Sequence, residues 1–205
     1  MALRSDLRTG IRDGIYEAAA DLITDAQINR AIKREIDSLP SKQIFLKKLY
    51  TTTTVVNQQD YALPTGTVEV ERVERNDGTS DSPIWTQING CEMYDDALWL
   101  PYRPGNIDTI RIHIQKKFAN PDDDSTTLDL PDEKLELVEQ GGIVRCYKML
   151  MGYFRQSKSW DSVTTPKGVS MGSVQQWYRE SKEDYKELLH QYQDTPLSRE
   201  IDLVS

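Results

Sequence analysis

Residues 57–73, NQQDYALPTGTVEVERV, decide the fold of this 205-residue chain. A polar turn and a Tyr-x-Leu-Pro step, Tyr61–Pro64, lead into Val68 and Val70, which alternate with glutamates. Alternation with a period of two is typical of a strand, and proline ends pairing at a strand boundary. Because helical periodicity appears on both sides, the stretch predicts a β module inserted into a helical chain.

Strand signals continue around this stretch. The β-branched run Lys48–Val56 predicts a strand that forms a hairpin with Tyr61–Leu63. Thr109–Gln115 alternates most regularly, with isoleucines on one face, and its expected partner is Ala97–Leu100. The remaining predicted strands cover residues 68–75, 84–88 and 128–130.

Four helices are predicted to flank the module. The first covers residues 5–22, and its Gly10 and Gly14 suggest close packing on a second helix. The second begins with the capping box Thr24–Gln27 and ends at Leu39 before a proline. The third covers residues 131–157, with a wide apolar arc and a glycine pair inside it, and the fourth begins with a capping box at Ser173.

This order predicts an α+β fold, in which the N- and C-terminal helices form a bundle around an inserted antiparallel β module. The expected boundaries are residues 1–44 and 131–194 for the helical domain and 45–130 for the β domain. A C-terminal tail, residues 195–205, remains.

Composition excludes several classes of protein. The chain has 33 acidic and 25 basic residues, so its net charge of −8 disfavours a general nucleic-acid binder and docking on an anionic membrane. No apolar run is long enough for a membrane span, and the N-terminus lacks a signal-peptide core. We expect a soluble protein of the cytoplasm, whose Cys91 and Cys146 are buried thiols without zinc-site spacing.

The acidic stretches do not predict an enzyme. Asp122–Asp124 lies in a partial match to a calcium loop, but Thr127 stands where the turn needs glycine and Pro131 breaks the frame. Asp95 and Asp96 could share a proton only in a turn, because neighbours on a strand face opposite ways. No nucleophile motif surrounds any serine. The sequence therefore predicts no catalytic residue, metal or cofactor.

The order of motifs resembles that of the head-to-tail adaptor, or connector, proteins of tailed bacteriophages. The similarity covers Leu3 to about Tyr192: an arginine-bearing first helix, the Tyr61–Pro64 step, a proline-rich turn at Leu98–Pro104, and a leucine-proline pair that opens the third helix. The Gly141–Gly142 pair, residues 160–172 and the tail depart from the family pattern.

The resemblance implies a non-enzymatic virion protein in the neck between head and tail, assembled in the host cytoplasm. Such adaptors form a ring, commonly a dodecamer, below the portal protein, where they extend the DNA channel and dock tail, nozzle or tail-completion proteins. The strand module would supply subunit or tail contacts, for which the candidates are Tyr61, Leu63, Tyr102 and Arg103. Core packing is the alternative for Tyr61 and Leu63.

Two further hypotheses concern the tail and the channel. The apolar residues of the tail are Leu197, Ile201, Leu203 and Val204. They would dock on the portal or on a neighbouring subunit, and a disordered tail is the alternative. Viral DNA would pass through an acidic lumen without sequence-specific binding, since carboxylates repel phosphates; ordinary solubility charge is the alternative there.

Other functions stay open. They are a tail-completion or tail-terminator protein, a small cytoplasmic enzyme that uses its acidic loop, and a regulatory DNA-binding protein.

Overall fold

The computed structural model describes residues 3–120, 127–128, 130–156 and 169–193. Within them the chain is α+β, with helices before and after an antiparallel β region, as the sequence predicts. The chain divides into two compact units. Met1–Ile44 with Ala119–Ser205 is called the helical unit below, and Phe45–Phe118 is called the β unit.

The helical unit is built around α4, Asp132–Gln156. This helix packs against α1 (Arg4–Gly14), α3 (Asp25–Ser38) and α5 (Met171–Tyr192). The wide apolar arc of α4 is therefore used on several sides. Its buried members are Leu137, Val138, Ile143, Cys146, Tyr147, Leu150 and Phe154.

Glycines let these helices approach closely. A Cβ atom at Gly10 or Gly14 of α1 would lie closer than 3.0 Å to Glu139 or Ile143 of α4. In the opposite direction, a Cβ atom at Gly142 would clash with Ile11. The predicted close packing of α1 on a second helix is confirmed, and the glycine pair of α4 is a contact point.

The prediction of one first helix over residues 5–22 is wrong. The helix stops at Gly14, Ile15 and Tyr16 are extended, and a short helix, α2, covers Glu17–Ala20. The extended backbone lets the Tyr16 N–H donate to the Tyr147 hydroxyl at 3.1 Å, and the Tyr16 ring stacks on Trp177 with centroids 4.6 Å apart. Tertiary contacts therefore override the helical periodicity here.

The other helix signals are largely confirmed. Gln27 N–H donates to Thr24 Oγ1 at 3.3 Å, Thr24 N–H donates back to Gln27 Oε1 at 2.8 Å, and α3 ends just before Leu39. A 3₁₀ turn, Pro40–Lys42, follows α3. The N-cap of α5 is Ser170 and not Ser173, because Ser170 Oγ accepts the Ser173 N–H at 3.1 Å.

The β unit contains two antiparallel sheets. The larger has the order β1-β7-β3-β4, and the smaller has the order β2-β6-β5. The strands are β1 Leu46–Thr53, β2 Asp60–Ala62, β3 Thr67–Asn76, β4 Trp85–Gln87, β5 Glu92–Tyr94, β6 Ala97–Trp99 and β7 Thr109–Lys116.

Two predicted strand pairings are wrong. β1 pairs with β7 and does not form a hairpin with β2, which pairs with β6 in the other sheet. β7 likewise takes β1 and β3 as partners instead of β6. Residues 128 and 130 add no strand to either sheet; Thr127 forms only an isolated bridge with Leu3.

One apolar cluster joins the inner faces of both sheets. Its buried members are Tyr61, Leu63, Val73, Leu98, Leu100, Ile110, Ile112 and Ile114. Because both sheets bury one face in this cluster, their other faces point outward on opposite sides of the β unit. Arg111, His113 and Gln115 lie on the outer face of β7, as the alternation predicts.

Candidate interaction surfaces

Two loops at one end of the β unit are tied to each other. Thr54, which is buried, donates its N–H to the Asp108 carbonyl at 2.8 Å and accepts the Asp108 N–H on Oγ1 at 2.7 Å. Asn57 N–H donates to the Pro104 carbonyl at 2.9 Å. Residues 54–59 and 103–108 therefore form one loop end with few ways to rearrange.

Tyr61 fixes the first of these loops from below. Its ring is 5% exposed in the apolar cluster, and its hydroxyl accepts the Val55 N–H at 3.0 Å. The same hydroxyl donates to the Gln58 carbonyl at 3.0 Å. Leu63 is also buried. The burial of both residues supports the core-packing alternative. Tyr61 holds the first loop in place, and the exposed side chains of that loop belong to its other residues.

The loops present aliphatic side chains. Val55, Val56 and Ile107 are 50%, 46% and 73% exposed, and they are called the apolar tip below. Residues 55–59 and 104–107 carry no charged side chain. Exposed aliphatics on tied loops fit a protein contact, because little conformational freedom is lost when such a surface binds.

The other predicted contact residues lie beside the loop end. Arg103 is exposed, and its Nε donates to Gln59 Oε1 at 3.3 Å, which joins it to the first loop. Tyr102 is half-buried and lines a shallow pocket of about 160 Å³ with Arg75, Thr86, Gln87 and Ile88. The predicted portal-binding residues Leu197, Ile201, Leu203 and Val204 lie outside the described residues.

A buried carboxylate organises the helical unit. Glu35 of α3 accepts the Lys42 ammonium at 2.5 Å and the Arg145 Nε at 2.7 Å. The Tyr185 hydroxyl donates to the same carboxylate and accepts from Lys42. Ser38 accepts from both cations. We call these five residues the Glu35 cluster; it links α3, the 3₁₀ turn, α4 and α5.

The Glu35 cluster is a structural tie within the helical unit. Burial lowers the pKa of Lys42 and raises the pKa of Tyr185. Each oxygen of the Glu35 carboxylate pairs with a cation, so its buried charge is compensated where the elements meet.

Helix α5 presents a mixed face. Only Val174 is fully buried, while the rest of its apolar stripe is half-buried; these residues are Trp177, Tyr178, Tyr185, Leu188, Leu189 and Tyr192. Trp177 stacks on Tyr16, and Tyr185 enters the Glu35 cluster, so the stripe is held at two points. This face leaves apolar surface that a neighbouring molecule could cover.

The two thiols and one pair of neighbouring carboxylates in the described part of the chain have the following surroundings. Burial raises the pKa of Cys91 to about 11 and that of Cys146 to about 12, so both thiols stay protonated at neutral pH. Asp95 and Asp96 occupy the β5–β6 turn and are exposed. Asp122–Asp124 lies outside the described residues, and within the rest no group of histidine, cysteine or carboxylate side chains could hold a metal ion.

None of the helices that the structure describes is long and apolar enough to cross a membrane.

No family model and no curated protein matches the chain. A solved structure described as "Neck of empty GTA particle computed with C6 symmetry" is similar at 15% identity over 86% of this chain and 92% of that one, with a TM-score of 0.30. At that TM-score the similarity does not establish a shared fold.

Proposed function

We propose that this chain is a structural head-to-tail adaptor of a tailed phage. In this proposal it forms a ring below the portal, extends the DNA channel and docks tail proteins. The observation that carries the proposal is the apolar tip, a preformed aliphatic surface held by the Tyr61 hydroxyl and by hydrogen bonds between two loops. Such a surface fits a protein partner and no chemical reaction.

An adaptor needs separate surfaces for separate neighbours, and we assign one to each unit. We assign the apolar tip, with Arg103 beside it, to a tail-completion or nozzle protein. The half-buried face of α5 and the tail residues 195–205 are assigned to the portal and to neighbouring subunits. The same proposal includes a dodecameric ring, as in the family that the sequence resembles, and an acidic lumen through which DNA passes.

The apolar tip is tested by charge. Val56→Asp combined with Ile107→Asp is expected to weaken binding to the tail-completion protein of the same virus about tenfold or more, because the contact would bury unpaired carboxylates. Isothermal titration with the purified partner measures this. Leu49→Asp combined with Val68→Asp is the matched control, since these side chains are 55% and 37% exposed on the same unit and lie within β1 and β3 instead of beside the two loops. Equal effects of both changes would contradict the assignment.

The tail is tested by truncation. A chain that ends at Asp194 is expected to lose binding to the portal protein in a pull-down, while its circular dichroism and its binding through the apolar tip stay unchanged. Portal binding also separates an adaptor from a tail terminator, which sits one step further from the capsid. Undiminished binding of the truncated chain to the portal would refute the role of the tail.

A further inference from the structure

The outer face of the smaller sheet carries exposed aromatic rings. Trp99 of β6 is 43% exposed and Tyr94 of β5 is 60% exposed. In the strand register Trp99 lies directly between Asp60 of β2 and Glu92 of β5. We call this set of four residues the aromatic face; Asp95 and Asp96 stand in the turn at its end.

The carboxylates of the aromatic face have no cationic partner in the described part of the chain. Glu92 accepts only the Tyr94 hydroxyl, and Asp60 is exposed without an ion pair. The larger sheet differs, because on its outer face Glu74 pairs with Arg72 and Arg111, and Glu71 pairs with Lys47 at 3.5 Å. Charge is therefore balanced on one outer face of the β unit and unbalanced on the other.

A complementary surface lies on α3. Arg30, Lys33 and Arg34 are spaced i, i+3 and i+4, so they share one side of the helix. All three are exposed, and none forms an ion pair among the residues that the structure describes. The buried stripe of the same helix contains Ile28, Ile32 and Ile36. We call the three exposed residues the cationic stripe.

We propose that the aromatic face of one copy binds the cationic stripe of a second copy. This inference rests on the proposed adaptor function, for which it names the contact between subunits. A guanidinium from Arg30 or Arg34 would stack on the Trp99 ring, while Asp60 and Glu92 accept its N–H groups. Carboxylates on both sides of a tryptophan match the planar, multiple-donor fork of arginine.

Charge complementarity identifies the occupant as a second copy. The chain is acidic overall, yet within its described residues three cations on one helix face and the carboxylates around exposed aromatic rings have no ion-pair partner. Each copy carries both surfaces, so a single contact of this kind is heterologous and leaves one free surface of each kind. Repetition of such a contact closes into a ring or continues as a filament, and a ring is what an adaptor requires.

Complementary charge reversal tests the contact. The face variant is Asp60→Lys with Glu92→Lys, and the stripe variant is Arg30→Glu with Lys33→Glu and Arg34→Glu. Each alone is expected to weaken self-association of the full chain about tenfold or more, as measured by sedimentation velocity over a concentration series. The chain that carries both sets of changes should recover self-association, as should an equimolar mixture of the two variants.

The recovery separates a specific contact from net repulsion. The combined variant is more acidic than the natural chain, so lower total repulsion cannot explain its association. Glu69→Lys with Asp81→Lys is the matched control for the face variant, because both residues are exposed on the β unit and the charge change is equal. This control should associate as the natural chain does, and added salt should weaken the natural contact.

Other outcomes overturn the inference. A natural chain that stays monomeric up to its solubility limit contradicts it, and so does a combined variant that fails to recover. If the stripe variant self-associates like the natural chain but loses affinity for a duplex DNA probe, the stripe binds phosphates and not a second copy. Portal binding of the same variants tests the adaptor function separately from the subunit contact. If portal binding persists while charge reversal has no effect on self-association, the adaptor function stands and only this contact fails.

Discussion

Replacing Glu35 by alanine is expected to lower the free energy of unfolding of the helical unit by about 3–5 kcal/mol. The change removes the acceptor for Lys42 and Arg145 and leaves both cations against a largely buried site. Tyr185 also loses its acceptor, which removes a hydrogen bond between α5 and α3. Urea denaturation followed by helical circular dichroism measures the change.

An exposed ion pair supplies the control. Glu183 and Lys186 pair at 2.8 Å on the surface of α5, and Glu183→Gln is expected to leave the free energy of unfolding almost unchanged, because exposed ion pairs contribute little. If Glu35→Ala has an effect as small as this control, the Glu35 cluster does not hold the helices together.

Gly141→Ala and Gly152→Ala are the same change at two positions of α4, and we expect them to have opposite effects on the free energy of unfolding. A Cβ atom at Gly141 would lie 2.5 Å from Glu35 Cδ, and this side chain is held by its cations and cannot withdraw. Gly152 has nothing within 4 Å of the added Cβ. Gly141→Ala should therefore destabilise by about 2 kcal/mol through overpacking, while Gly152→Ala should stabilise by up to about 1 kcal/mol through helix propensity.

A double-mutant cycle identifies the cause. In the Glu35→Ala background the clashing atoms are gone, so Gly141→Ala should no longer destabilise the protein. If Gly141→Ala destabilises equally in both backgrounds, or stabilises the natural chain, the close approach of α3 and α4 at this glycine is wrong.

Local signals in the sequence predicted the elements well. The Thr24 capping box, the stop before Pro40 and the alternating isoleucines of β7 depend on neighbouring residues, and each appears in the structure. Pairing depends on residues far apart in sequence. β1 and β2 follow each other like a hairpin but join different sheets, and no local pattern of the Thr-rich run shows this. The break at Tyr16 likewise depends on Tyr147 and Trp177.

The candidate surfaces were predicted only in part. Tyr61 was singled out by its motif, but its function in the structure is to hold Val55 and Gln58, while the exposed apolar residues are its loop neighbours. In the sequence, the signal for this exposed surface is the pair of valines, Val55 and Val56, directly before a polar turn.

Glu35 lies four residues after Ala31 on the buried stripe of α3, and this spacing is the sequence signal for a buried carboxylate. Its partners come from α4, α5 and the 3₁₀ turn, and a sequence pattern alone could not assign them.

The most direct test of the adaptor function is a reconstruction of the neck of the mature virus particle by electron cryo-microscopy. We expect a ring of copies of this chain below the portal, with the apolar tip against a tail protein and DNA in the lumen. A neck whose density is fully explained by other proteins, with this chain absent from the purified particle, would contradict the proposed function.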